Sequence, residues 1–180
     1  VESHPMAGRE RGGAIAGRAD LFVGRPWVIT PNEKSTEEGL NLVEQLATAL
    51  EASVVKTTPK DHDRAVALVS HVPQLISSLL AARLVDAKSE DVSLAGQGLR
   101  DVTRLATSDS KLWAQILTSN KDSIQPLLKD FIASLTKLQD SLNSTNQDQV
   151  AAILNHGVEG KARIPGKHGA KNRDYSFLPI

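Results

Sequence analysis

The sequence predicts a mainly α protein: an α/β end piece over residues 1–58, followed by an all-helical domain over residues 59–160. Three observations carry this. Two short β-type runs, Trp27–Thr30 and Ser53–Thr57, bracket one helical pattern. From Pro59 onward strand signals all but stop, and apolar residues recur at helical spacing. The 180 residues are 40% hydrophobic and 23% charged, the balance of a globular chain with a sizeable core.

The elements follow in order. Residues 1–20 are rich in Gly and Arg and read as loop with a short helical piece. Trp27-Val-Ile-Thr30 is a strand closed by Pro31. Ser35-Thr-Glu-Glu38 fits a capping box, with Ser35 as the cap and Glu38 reaching back. Leu40, Val43, Leu46, Ala47 and Leu50 then share one helical face. Ser53–Thr57 is the second strand. A long helical pattern from Asp61 to Asp86 contains Pro73, which removes a ladder hydrogen bond and predicts a kink or split. Residues 96–107 and 109–118 read as two shorter helices. Residues 120–143 form a long amphipathic helix whose stripe is Ile124, Leu127, Leu128, Phe131, Leu135, Leu138 and Leu142. Ser144 or Thr145 opens a last helix through Gly157. Residues 161–180 read as a basic loop running into an apolar, strand-like end.

Composition excludes several functions. Lys+Arg and Asp+Glu both total 21, so the zero net charge argues against binding nucleic acid by bulk charge. Without cysteine there is no disulfide, redox CxxC, thiolate metal site or Cys nucleophile. No apolar run approaches the roughly 18 residues of a transmembrane helix. The N-terminus lacks the apolar core of a signal peptide. The expected address is the cytoplasm, with no membrane partner. His62 and His71 fall on opposite faces of a regular helix and no HExxH or HxxxH pair occurs, so no metal is expected. Gly96-Gln-Gly98 lacks a preceding strand and a third Gly, so it is not a dinucleotide fingerprint.

Three groups of residues are candidates for chemistry. His4 heads His-Pro-Met-Ala-Gly, and its near-neutral pKa suits a base for an alcohol being oxidised; the plain alternative is an ordinary loop histidine. Gly96 and Gly98 let a backbone approach a ligand, and Arg100, Asp101 and Arg104 follow. An Arg there suits a bidentate grip on a carboxylate; the alternative is a solvated helix start. Ser70-His-Val-Pro-Gln74 puts polar side chains near the expected kink, or is only a helix irregularity. Trp113 falls opposite Arg104 on a continuous helix, so it serves a core or a partner subunit.

The order of the motifs is more specific than any one of them. HPMAGRE, LFVGRPWVITP, HDRAVALVSHVPQ, GQGLRDVTRLATSDSKLW and IPGKHG together resemble the prephenate/arogenate dehydrogenase family of tyrosine biosynthesis, over nearly the whole chain. The resemblance implies the C-terminal end of a Rossmann-type nucleotide-binding domain, followed by a helical domain that makes a homodimer. It implies NAD or NADP as cofactor, with the cofactor-binding residues mostly upstream of Val1. The chain then reads as a segment of a longer protein, inactive alone, with an ACT-type regulatory domain starting near Asp174–Ile180.

The implied reaction is oxidative decarboxylation of a cyclohexadienol. The family's catalytic His falls on His4, and its carboxylate-binding Arg on Arg104. Ser70, Gln74, Gly96, Gly98 and Trp113 fall on substrate-binding positions, Trp113 being contributed across the dimer. Glu10 and Asp101 fall on an ionic network at the entrance. Gln74 stands where the family often has a His, and neutral Gln tolerates the ammonium of arogenate, so the resemblance leans toward arogenate or dual specificity. The alternative is a non-catalytic helical dimerisation or binding module that kept the shape without the chemistry.

Overall fold

A computed structural model of the protein describes residues 1–8 and 17–165. Glu10, the segment Gly166–Gly169 of the IPGKHG motif and the apolar end 174–180 lie outside the described residues. The chain clusters into two compact units, Val1–Lys129 and Asp130–Ile180.

The first unit opens with a strand that the sequence reading missed, β1 (Glu2–Pro5), where loop was expected. Its four residues are too few and too polar to show a period. What holds them is pairing with the next strand, a tertiary cause. Strand β2 (Pro26–Thr30) runs antiparallel to β1 and parallel to β3 (Ser53–Lys56), so the order is β1-β2-β3 among the described residues. The register sets His4 opposite Val28, and Val28 opposite Val55. Cross-strand neighbours share a face, so these three lie in one row.

The other face builds the core. Trp27, Ile29 and Ala47 are buried together, with Phe22, Leu40, Val43, Leu50 and Val54 packed around them. Helix α1 (Glu37–Ala49) supplies its half of that core. Its cap is Thr36, one residue later than expected: the Thr36 hydroxyl accepts from the Gly39 N–H at 3.1 Å. Ser35 is drawn into a turn instead, its hydroxyl 3.2 Å from Asn32 Oδ1. Leu46, expected on the buried face, is 50% exposed. At helical spacing it sits at the edge of the arc that Val43, Ala47 and Leu50 centre on the sheet.

Helix α2 (Pro59–Val66) starts with Pro59 in its first turn and Thr58 as cap, which accepts from the Asp61 N–H at 3.1 Å. A five-residue π-helical turn, Ala67–His71, separates it from α3 (Val72–Ala82). The expected break is therefore present, but upstream of Pro73. Proline has no N–H to give and crowds the carbonyl four residues earlier, so the ladder widens before it. Pro59–Ala82 is long and apolar enough to cross a membrane by length and composition, which corrects the expectation of no such stretch. An unbroken apolar run is absent, yet the average over the window is apolar. The buried polar groups His71, Gln74 and Ser77 on this stretch suit a helix inside a protein core.

The remaining helices of this unit are short. They are α4 (Ser89–Ser93), which the sequence did not show, α5 (Gln97–Thr103), a 3-10 turn at Arg104–Thr107, and α6 (Ser110–Ser119). Helix α7 (Lys121–Asn143) begins in this unit, where Ile124 is buried. In the second unit its residues Phe131, Ile132, Leu135 and Leu142 are exposed. Helix α8 (Gln147–Ala162) starts later than Ser144 and runs past Gly157, into the stretch expected to be loop. Asn146 caps it, accepting from the Gln149 N–H at 3.0 Å, while Thr145 takes a positive φ of 53° that ends the preceding turn.

Candidate active site

The His4 row of the sheet faces α2. His4 Nδ1 lies 2.9 Å from His62 Nε2, and His62 Nδ1 lies 2.9 Å from Asp63 Oδ1. The Thr58 cap places His62 at the end of the first turn of α2, against the end of β1. Below the pair is a cavity of about 320 Å³, lined chiefly by apolar side chains including Met6, Val28, Val55, Val66 and Val69, with His62 and Asp61 at its polar edge.

A third histidine completes the group. His71 is buried, and the Asn120 amide reaches it at 3.2 Å while donating to the Asp63 carbonyl at 2.8 Å. Burial is the main cause that holds His71 below the ordinary histidine pKa; His4 and His62 add to it, and Asp63 opposes it. His4 is likewise lowered, first by burial and then by His62. Both rings therefore favour the neutral form, in which an imidazole nitrogen accepts a hydrogen bond.

His62 and His71 belong to one group although a regular helix sets them on opposite faces. The π turn between them takes more residues per revolution and so changes their phase. The contacts of His62 with His4 and of Asn120 with Asp63 were missed in the sequence because they join separate elements 58 and 57 residues apart. The available signal was the polar Ser-His-Val-Pro-Gln run at the expected kink.

The carboxylate-binding candidates belong to another tie. Arg104 opens the 3-10 turn, just past the end of α5. Gln74, 5% exposed, holds that turn from α3: its Nε2 donates to the Leu105 carbonyl at 2.9 Å and to Ser78 Oγ at 3.2 Å, and its Oε1 accepts from the Ser108 hydroxyl at 3.4 Å. The resemblance implies a substrate contact for Gln74; within this chain its amide is engaged by Leu105, Ser78 and Ser108, as a buried amide requires.

Asp101 is exposed and accepts from Gln97 Nε2 at 2.8 Å. Gly96 caps α5 in extended conformation, and no atom lies within 4 Å of a Cβ placed on Gly96 or Gly98. Neither glycine is required by its own chain's packing, and the space above both is open. Ser70 lies half-buried in the π turn. Trp113, expected to reach across a dimer, stands edge-on to His71 within its own chain, with ring centroids 6.1 Å apart. Among the described residues no group of three or more His, Asp or Glu side chains is arranged to hold a metal ion.

Sheet, helices and histidines thus amount to the end of a Rossmann-type sheet joined to a helical region, with an imidazole group at the junction. Two family models match: the nucleotide-binding domain of prephenate dehydrogenase over residues 1–56, and the dimerization domain of prephenate dehydrogenase over residues 58–156. The chain belongs to the prephenate dehydrogenase family. It is 32% identical over 179 residues to a probable prephenate dehydrogenase, NovF, of Streptomyces niveus, covering 94% of this chain and 49% of that protein. Among solved structures it is similar to prephenate dehydrogenase of A. aeolicus in complex with hydroxyphenyl propionate and NAD+, with a TM-score of 0.79 and 26% identity, covering 88% of this chain and 57% of that one. It is similar also to Synechocystis arogenate dehydrogenase, with a TM-score of 0.74 and 27% identity, covering 89% and 60%. The chain thus spans about half the length of the curated relative, 49%.

Proposed function

We propose that the protein to which this chain belongs oxidises and decarboxylates a cyclohexadienyl acid, prephenate or arogenate, in the tyrosine-forming step of aromatic amino-acid synthesis. The observation that carries this is His4, its pKa lowered by burial at a sheet end and its ring held by His62, which itself lines an open cavity. NAD+ or NADP+, when bound, supplies the hydride acceptor. The residues present do not hold a dinucleotide by themselves. The sequence has no GxGxxG fingerprint, and the cavity beside His62 is lined chiefly by apolar side chains.

The chain's own residues serve the other half of the chemistry. As the ring carbon that bears the hydroxyl gives up its hydrogen, the C–O bond gains double-bond character and the hydroxyl proton becomes acidic. A neutral imidazole at His4 takes up that proton's hydrogen bond. The ring carboxylate leaves as CO2, its electron pair closes the aromatic ring, and the oxygen keeps its proton as a phenol. No proton is lost overall, so His4 needs to stabilise the transition state rather than discharge a proton to water. Arg104 is assigned to a substrate carboxylate, with Ser70, Gly96, Gly98 and Trp113 around it and Asp101, with Glu10, at the entrance. Gln74 serves this site by holding the Arg104 turn.

The helical region makes the homodimer, and the enzyme works in the cytoplasm without nucleic-acid or membrane partners. Incubation of the full-length protein with each acid and each nicotinamide cofactor tests the assignment. Formation of reduced cofactor together with CO2 and an aromatic product is expected. Turnover of neither acid overturns it.

A further inference from the structure

We propose that Asp63 and His62 are positioning residues that set the tautomer of His4, leaving Nε2 of His4 as the acceptor for the substrate hydroxyl. The proposal rests on the reading of His4 given above. It follows from counting donors and acceptors along one chain of hydrogen bonds.

An ionised carboxylate only accepts. The Asp63 carboxylate accepts at 2.9 Å, and that contact obliges His62 Nδ1 to carry the proton. A neutral imidazole has one N–H, so His62 Nε2 is then a lone pair. That lone pair faces His4 Nδ1 at 2.9 Å. His4 must therefore donate from Nδ1, which leaves its Nε2 without a proton. The opposite tautomer of His4 would set two lone pairs against each other. Among the described residues no hydrogen bond engages Nε2 of His4.

The parts are held independently of one another. His62 is 17% exposed at its side chain and fixed on the first turns of α2 by the Thr58 cap. The Asp63 backbone is tied to Asn120 at 2.8 Å. His4 is fixed in the register of β1 against β2. A two-ring relay ended by a carboxylate thus does for His4 what a buried acid does for the histidine of a hydrolase triad: it selects the tautomer and the ring angle.

The test uses the full-length protein with three variants, His62→Leu, His62→Gln and Asp63→Asn, assayed for kcat and KM and examined by nitrogen-15 NMR of labelled histidine. In the wild type the His4 signals should report a protonated Nδ1 and a bare Nε2. His62→Leu removes the acceptor and should mix the two tautomers, lowering kcat by about 10–100-fold, the scale for outer partners of a functional histidine, with KM nearly unchanged. His62→Gln keeps an acceptor oxygen and should recover most of that loss. Asp63→Asn, on an exposed side chain that threatens no core, should mix the tautomers partially and lower kcat less. A bare Nδ1 in the wild type overturns the proposal, as does wild-type kcat in folded His62→Leu. If the wild type turns over neither acid, the reaction reading fails by itself, and the NMR signals still decide the tautomer.

Discussion

His4 Nδ1 and His62 Nε2 are 2.9 Å apart across 58 residues of sequence, and that contact joins the last strands of an α/β sheet to the first helix of the helical region. The two rings meet edge to face, with centroids 5.1 Å apart. Neither residue could place the other by local periodicity, since they lie on different elements.

The first prediction concerns His4 itself. In the full-length protein, His4→Asn removes the imidazole nitrogen that accepts from the substrate hydroxyl. A general acid–base group is worth roughly 10²–10⁴-fold in rate, so kcat should fall by that order while substrate affinity holds. Steady-state kinetics with a direct binding measurement separates the two effects. Unchanged kcat would remove His4 from the chemistry.

Much of the fold was legible in the sequence because it rests on local signals. The strand Trp27–Thr30, the helix over Leu40–Leu50 and the long helix ending at Asn143 each carry their own period. Strand β1 was not legible, because pairing with β2 rather than composition makes it a strand. At the site, His4 and the Arg104 segment stood out by motif. The contacts of His62 with His4 and of Asn120 with Asp63 did not, because they join separate elements 58 and 57 residues apart, and the grouping of His62 with His71 did not, because a π turn altered the phase that regular helical spacing assumes. Gln74 stood out as a site residue, but its partners Leu105 and Ser108 lie some thirty positions on, where no spacing rule reaches.

That tie gives the second prediction. Gln74→Leu leaves the Leu105 carbonyl and the Ser108 hydroxyl without their partner in a buried place. Such a loss costs about 1–3 kcal/mol. Chemical denaturation should show it, and KM for the acid should rise because the turn that carries Arg104 loosens. Gln74→His should likewise raise KM without exchanging preference between prephenate and arogenate. A clean exchange of preference would mean that the side chain meets the substrate directly.

The third prediction tests the helix start. Thr36→Ala deletes the cap of α1 and should cost about 1 kcal/mol, whereas Ser35→Ala, at the position that the sequence pattern favours, should cost less. Equal losses in urea melts would return the cap to Ser35.

pH should act on stability through His4 and His71. Both have folded pKa values below the ordinary histidine value, by burial first. The unfolded chain, at roughly 6.5, therefore binds more protons in the interval between the two values. Stability is full above that ordinary value and is lost as pH falls through the folded values. Urea midpoints measured from neutral to mildly acidic pH should decline, and His71→Asn should flatten the decline. A midpoint that rises on acidification would contradict the sign.

The last prediction concerns the second unit. Ile132, Leu135 and Leu142 on α7 are 63%, 52% and 61% exposed in the single chain, and Phe131 lies beside them. Apolar side chains clustered on one helix in this way mark an interaction surface, and the family model over residues 58–156 is named for dimerization. A charge at Leu135 costs a lone chain little, since the side chain is already in water, but it would be desolvated without a partner at an interface. The full-length protein should sediment as a dimer. Leu135→Glu should sediment as a monomer with unchanged helix content, and Lys137→Glu, on the same exposed stretch, should stay dimeric. A Leu135→Glu protein that remains dimeric would place the interface on another face of the helical region.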